Sequence, residues 1–242
     1  MLNSGRDIVY SCSWPAYLGS NETEKKKTFE AMIQGGCNLW RNWDDIDNKW
    51  SSVLSIIDHW GDYCEDLKPY AGPGHWHDMD MILVGDNHYN FTMNEDQSRT
   101  QMTIWSIMAS PLIMSNDLRT IEDRYRDILL NPEVIAIDQD PLGEMGLRLS
   151  DKAAPGGEIW ARNLSDGSMA IALFNRGATP PSPSSMKISF ELTDLGYPAS
   201  EWDSASVRDL WLREDAGVIT KSHQREELVE PMGVKFFKLS KN

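Results

Sequence analysis

Apolar positions along the first 145 residues follow two alternating rhythms, short strand-like runs and longer helical stripes. Ile8 to Ser13 is β-rich, and residues 22–34, closed by Gly35-Gly36, carry a helical pattern. The pair recurs three times more. Asn38 to Arg41 precedes Trp50 to Trp60, in which Val53, Ile56, Ile57 and Trp60 fall at helical spacing. Gly72 to Gly85, a strand opened by a turn, precedes a helix from Glu95 to Met108, and Pro111 to Asp117 precedes a helix ending near Asn131. Repeated strand–helix units predict a parallel sheet. Polar residues gather at the C-terminal ends of those strands: Ser13 and Tyr17, Arg41 and Asp45, Asp78 and Asp80, Ser115 to Asp117. A (β/α)8 barrel builds its active site at that rim, and four units make half a barrel.

Asn116 to Ile121 and Ile137 to Gly143 are rich in turn and cap residues, and after Asn131 to Gly143 the pattern changes. Glu158 to Asn163 and Ser168 to Asn175 read as two strands around an Asp166-Gly167 turn. The runs SMKISFEL, SVRDLWLRED and VKFFKLS continue as short strands divided by turn residues. The expected fold class is therefore α/β plus all-β, with a partial barrel over residues 1–145 and an antiparallel β-sandwich over residues 146–242.

With 242 residues the chain can bury a real core. Its formal net charge of -14 excludes a nucleic-acid partner, whose phosphates the surface would repel, and no apolar run reaches the roughly 20 residues of a membrane helix. Three sequons begin at Asn21, Asn90 and Asn163, and they matter on a secreted route. Three cysteines cannot all pair with one another. Cys12 and Cys37 lie at strand-like segments and could bridge neighbouring strands, leaving Cys64, while three reduced, buried thiols fit the residues equally.

Candidate chemistry concentrates in CNLWRNWDDIDNKW, residues 37–50, where Asp44 and Asp45 stand among Trp40, Trp43 and Trp50. An arginine fork at Arg41 can hold vicinal hydroxyls, and a partly desolvated carboxyl among tryptophans has the raised pKa of a general acid. Glycosidases need two carboxyl groups flanking the scissile bond, with aromatic rings shaping the pocket. The alternative is an Arg41/Asp45 ion pair, with Asp44 or Asp45 capping a helix from Ile46. In GHWHDMD, His75 and His77 share one face of a strand, with Trp76, Asp78 and Asp80 on the other. One HxH pair without a third clustered ligand is a poor metal site, so no metal or other cofactor is expected. Asp80 suits a sugar-hydroxyl acceptor, or a carboxylate bonded to nearby backbone and arginine.

IVYSCSWPAY (8–17), CNLWRNWDDI (37–46), AGPGHWHDMDMILVG (71–85), QSRTQMTIWSIMASPLIMSNDLRTI (97–121) and NPEVIAIDQDPLG (131–143) occur in an order that resembles glycoside hydrolase family 27, the α-galactosidases and α-N-acetylgalactosaminidases. The resemblance is strong over about residues 5–150 and looser beyond. It implies a retaining exo-glycosidase on a (β/α)8 TIM barrel, of which this chain carries strands five to eight, followed by a β-sandwich. It also implies a carbohydrate substrate, a lysosomal or secreted location, and a homodimer for a full-length parent. Position by position, Asp45 matches the acid/base carboxylate and Arg41 the arginine that holds substrate hydroxyls. Tyr17, Asp80 and Met81 match pocket positions, and Cys12 and Cys37 match a disulfide. Ser13 and Ala16 stand where family members specific for galactose carry Glu and a larger apolar residue. The smaller pair leaves room for a C2 acetamido group, which implies N-acetylgalactosamine, with galactose cleaved more weakly.

Two departures qualify the match. His77 and Met79 replace the family's usual Asn and Pro, and the fourth-strand motif that carries the nucleophile does not occur. The sequence is thus expected to be a truncated product, and a catalytically inactive family member is the alternative function.

Overall fold

The computed structural model describes residues 4–19, 21–86, 92–149, 157–177 and 184–242. Strand β1 (Ser11–Cys12) leads through a 3-10 turn (Trp14–Leu18) to helix α1 (Glu22–Gln34). Asn21 caps α1 by accepting the Glu24 amide at 3.2 Å, and the Gly35-Gly36 pair ends it, with Gly36 at φ +79°, a conformation that favours glycine. Strand β2 (Leu39–Arg41), helices α2 (Trp50–Asp62) and α3 (Cys64–Leu67), and strand β3 (Trp76–Asp78) follow. The three strands form a parallel sheet in the order β1-β2-β3, with Ser11 opposite Leu39 and Arg41 opposite Asp78. A parallel bridge between Ile82 and Met114 adds a further connection on the β3 side.

Helix α4 (Glu95–Ile107) begins with a capping box between Asn94 and Gln97. Its residues from Gln97 to Ile107 are almost all buried although six of them are Ser, Thr or Gln, because the helix is enclosed on both sides. Gln101 donates to Met81 O at 3.1 Å on the parallel-sheet side, whereas Thr100 donates to Met232 O at 2.9 Å and Thr103 accepts from Trp211 Nε1 at 3.0 Å on the other. These three polar side chains thereby offset their own desolvation.

Helices α5 (Asp123–Leu129) and α6 (Pro132–Asp138) complete the α/β part. Asn131 caps α6, a helix not expected from the sequence, by accepting the Glu133 and Val134 amides, and Pro132 supplies its first position. Strands β4 (Leu147–Arg148), β5 (Gly157–Asn163), β6 (Met169–Asn175), β7 (Met186–Phe190), β8 (Ser204–Asp209), β9 (Glu214–Thr220), β10 (Arg225–Val229) and β11 (Val234–Lys241) then form two antiparallel sheets, β4-β5-β6-β11-β8-β9 and β10-β7. Strand β10 was not expected from the sequence, because its Arg225-Glu226-Glu227 opening masks the alternation. On β6, Ala170, Ala172 and Phe174 join the core beneath α4, and Met169, Ile171 and Leu173 pack toward β7. One six-stranded sheet therefore serves two cores through its two-residue side-chain period.

An ion network ties the parts together. Arg176 Nη1 lies 2.7 Å from both Asp58 and Glu158, and Arg148 pairs with Asp62 and with Glu158 at 3.5 Å.

The run expected as strand from Ile8 to Ser13 shrinks to two residues. Ile8, Val9 and Tyr10 are exposed, and the Tyr10 backbone is bonded to Asn38 instead, its N–H to Asn38 Oδ1 and its carbonyl to Asn38 N, both at 2.8 Å. The run from Gly72 to Gly85 likewise yields only Trp76–Asp78, because Asp80 adopts φ +77° and turns the chain out of the strand.

Candidate active site

Arg41, the last residue of β2, is the centre of the site. Its guanidinium is mostly covered, 16% exposed, and its Nη2 lies 2.6 Å from Asp80 Oδ2 and 3.2 Å from Asp45 Oδ1, and donates to Asp44 O at 3.0 Å. The parallel register sets Arg41 beside Asp78 on β3, so one arginine meets carboxylates from two neighbouring chain segments.

The side chain of Asp80 is 10% exposed and densely bonded. Oδ2 also accepts the Ile46 amide at 2.7 Å, Oδ1 accepts the Met81 amide at 2.8 Å, and the Asp80 carbonyl accepts from Trp105 Nε1 at 2.8 Å. Asp78 Oδ1 accepts the Asp80 amide at 2.8 Å. Burial pushes the Asp78 carboxyl above its ordinary value, opposed by the Asp80 amide and Arg41 and reinforced by the Asp80 charge. The next amide along, Met79 N, donates to Ser110 Oγ at 2.9 Å. Met81 is half-buried.

The environment expected for Asp45 is not observed. Its side chain is 97% exposed, not desolvated among tryptophans, and Arg41 is its contact. The tryptophans turn away from it. Trp40 is fully buried under α1, Trp43 stacks on His59 of α2 with ring centroids 4.0 Å apart, and Trp50 packs toward Phe174. The capping alternative fails as well, since α2 starts at Trp50 and neither Asp44 nor Asp45 caps it.

Cys12 and Cys37 form a disulfide with Cα atoms 6.2 Å apart, and Cys64 is free and buried. The bridge anchors the start of the Trp14–Leu18 turn beside β2. Ser13 and Tyr17 are exposed on that turn and Ala16 is half-buried, so all three stand at the sheet end that carries Arg41. Of the sequon residues, Asn21 is exposed and caps α1, while Asn163 ends β5 half-buried and donates to Glu144 at 3.2 Å. Asn90 lies outside the described residues.

His77 points from β3 to the helical side. Trp40 Nε1 donates to its Nδ1, and Phe29 and Trp60 pack around the ring. Sequence reasoning missed this partnership and the role of Asn38, which accepts the Tyr10 amide and donates to Gly74 O. The Trp40 and His77 positions, opposite each other in parallel register, were the available signal. Among the described residues no group of three or more His, Cys, Asp or Glu is arranged to hold a metal ion, and no helix is long and apolar enough to cross a membrane.

The α-galactosidase A family model matches residues 1–140, and the model of the α-galactosidase C-terminal β-sandwich domain matches residues 155–239. The chain is 41% identical over 234 residues to α-N-acetylgalactosaminidase from Gallus gallus, covering 96% of this chain and 54% of that one. It is 43% identical over 173 residues to human α-galactosidase A, covering 72% and 38%. Its fold is that of α-galactosidase I from Mortierella vinacea, at a TM-score of 0.76 and 24% identity, covering 98% of this chain and 59% of that chain. The chain spans about half the length of the relatives it matches.

Proposed function

We propose that this chain, which belongs to the α-galactosidase family, carries the acid/base carboxylate and the sugar-holding arginine of a retaining exo-glycosidase acting on terminal α-linked N-acetylgalactosamine. The observation that supports this reading most strongly is Arg41, held between Asp80 at 2.6 Å and Asp45 at 3.2 Å, beside a disulfide-anchored turn bearing Ser13, Ala16 and Tyr17. An arginine fixed by one buried carboxylate keeps its remaining donors in a defined direction, which suits vicinal sugar hydroxyls.

In this reading the parallel sheet belongs to a (β/α)8 barrel. Asp45 gives its proton to the glycosidic oxygen as the C1–O bond breaks, while a second carboxylate attacks C1 and forms a glycosyl ester. Asp45, now a carboxylate, takes a proton from the water that cleaves the ester. The second carboxylate is assigned to the part of the family's length that this chain does not span. Enclosure of Asp45 by substrate supplies the desolvation that a proton donor needs. Ala16 and Ser13 accommodate the acetamido methyl and its polar end, so galactose, lacking that group, is cleaved more weakly. The disulfide suits a secreted or lysosomal route.

A second reading is a carbohydrate-binding chain without turnover. It is favoured by the exposure of Asp45 and by the commitment of Asp80 to Arg41 and to two amides. The test is hydrolysis of 4-nitrophenyl α-N-acetylgalactosaminide and α-galactoside by a full-length family protein that contains this chain and so supplies both carboxylates. Faster cleavage of the first supports the hydrolase, sugar binding without cleavage supports the second reading, and neither binding nor cleavage rejects both.

A further inference from the structure

We infer that Asp80 is a positioning residue and not a sugar ligand: its carboxylate holds both ends of the short segment that carries Asp45. The role of Asp45 in this inference rests on the hydrolase reading above. Asp80 Oδ2 receives Arg41 Nη2 at 2.6 Å and Ile46 N at 2.7 Å, and these two residues bracket Asp45 in the chain. Oδ1 receives Met81 N at 2.8 Å. An ionised carboxylate offers about four acceptor directions, so three are occupied by protein donors before any hydroxyl arrives. With 10% of the side chain exposed, a sugar has little access to the remainder.

The backbone of Asp80 is fixed just as closely. Its φ of +77° is the left-handed region, uncommon for a residue with a side chain, although Asp and Asn tolerate it better than most. The amide is bonded to Asp78 Oδ1 and the carbonyl to Trp105 Nε1, each at 2.8 Å. Donors from the β2 loop, from β3 and from α4 thus agree on one conformation, as a strained residue at a functional site requires. Asp45, by contrast, is 97% exposed and linked through Arg41. The exposed acid is therefore aimed by a buried one 35 positions along the chain.

Substituting Asp80→Asn keeps tolerance of positive φ and one acceptor oxygen, and removes the charge. A misplaced general acid penalises poor leaving groups more than activated ones, because an activated phenolate departs without a proton. In a full-length family protein that contains this chain, Asp80→Asn is expected to lower kcat/KM for methyl α-N-acetylgalactosaminide at least 10-fold more than for the 2,4-dinitrophenyl glycoside, and to accelerate hydrogen exchange of the Ile46 amide at least 10-fold while amides in β6 are unchanged. Equal losses on both glycosides with unaltered Ile46 exchange overturn the inference. Asp45→Asn is the reference: if it shows no leaving-group dependence, the hydrolase reading has failed, and the exchange result alone then decides for Asp80. If Asp80→Asn does not fold, the wild-type protein decides, since an Ile46 amide exchanging as fast as the Asp45 amide contradicts the bond on which the inference stands.

Discussion

Trp40 Nε1 donates to His77 Nδ1 at 2.9 Å, and the other ring nitrogen of His77 lies 2.9 Å from Leu67 O. An imidazole that accepts at Nδ1 and meets a carbonyl at Nε2 must carry its proton on Nε2 and be neutral. Burial lowers the His77 pKa to about 4, opposed by the Leu67 carbonyl and assisted by the charge of His75.

The unfolded chain takes up this proton near the ordinary value of 6.5, before the folded chain does, so stability present above that pH is lost as pH falls toward 4. Between pH 7.5 and 5 the His77 contribution is about 2 kcal/mol. Replacing it by Asn, which can also accept and donate, should shrink the acid loss seen in urea titrations by that amount; an unchanged pH dependence counts against the neutral-His77 account.

Asp138 has the opposite dependence. Burial raises its pKa to about 7, partly offset by Gln139 and Arg162, and Oδ1 has no partner. The folded chain keeps this carboxyl protonated where the unfolded chain has lost the proton, so stability falls as pH rises from about 4 through 7. Asp138→Asn should raise stability at pH 8 by several kcal/mol, on the order of 3, and change it little at pH 4. Equal effects at both pH values would show that the carboxyl is not buried as a neutral acid.

Arg176 joins Asp58 of α2 to Glu158 of β5, each at 2.7 Å. Glu158 is almost fully buried, so Arg176→Ala leaves a charge served by Arg148 and Trp160 alone. A loss of about 2 kcal/mol is expected in thermal or urea unfolding, and the double variant Arg176→Ala/Glu158→Gln should recover part of it.

The Cys12–Cys37 bridge closes a separation of 25 residues, for which chain entropy gives about 3 kcal/mol. Cys12→Ser/Cys37→Ser should destabilise by that order. Cys64, buried with its thiol pKa pushed up by burial, should resist an aromatic disulfide reagent in the native protein and react once unfolded. Rapid native labelling would contradict its placement.

Much of this architecture is legible in the chain because local signals carry it. Gly35-Gly36 marks the end of α1, and the Asp166-Gly167 turn separates β5 from β6 as the alternation implies. What the sequence hides depends on distant partners. Nothing local says that Trp43 will stack on His59 and leave Asp45 in solvent, or that Asp80 will take positive φ because Trp105 and Asp78 hold its backbone. The carboxylates were readable as a group, but which one is buried was decided by the register of β2 against β3 and by α4 above them.

The central claim, that Asp45 is the proton donor, is tested most directly by azide rescue of Asp45→Ala. In a full-length family protein that contains this chain, with the acid removed, turnover of 2,4-dinitrophenyl α-N-acetylgalactosaminide should stall at the glycosyl ester, and azide should restore it by attacking from the vacated side. The account predicts an α-glycosyl azide, identified by NMR; no acceleration by azide, or a β-configured product, contradicts it.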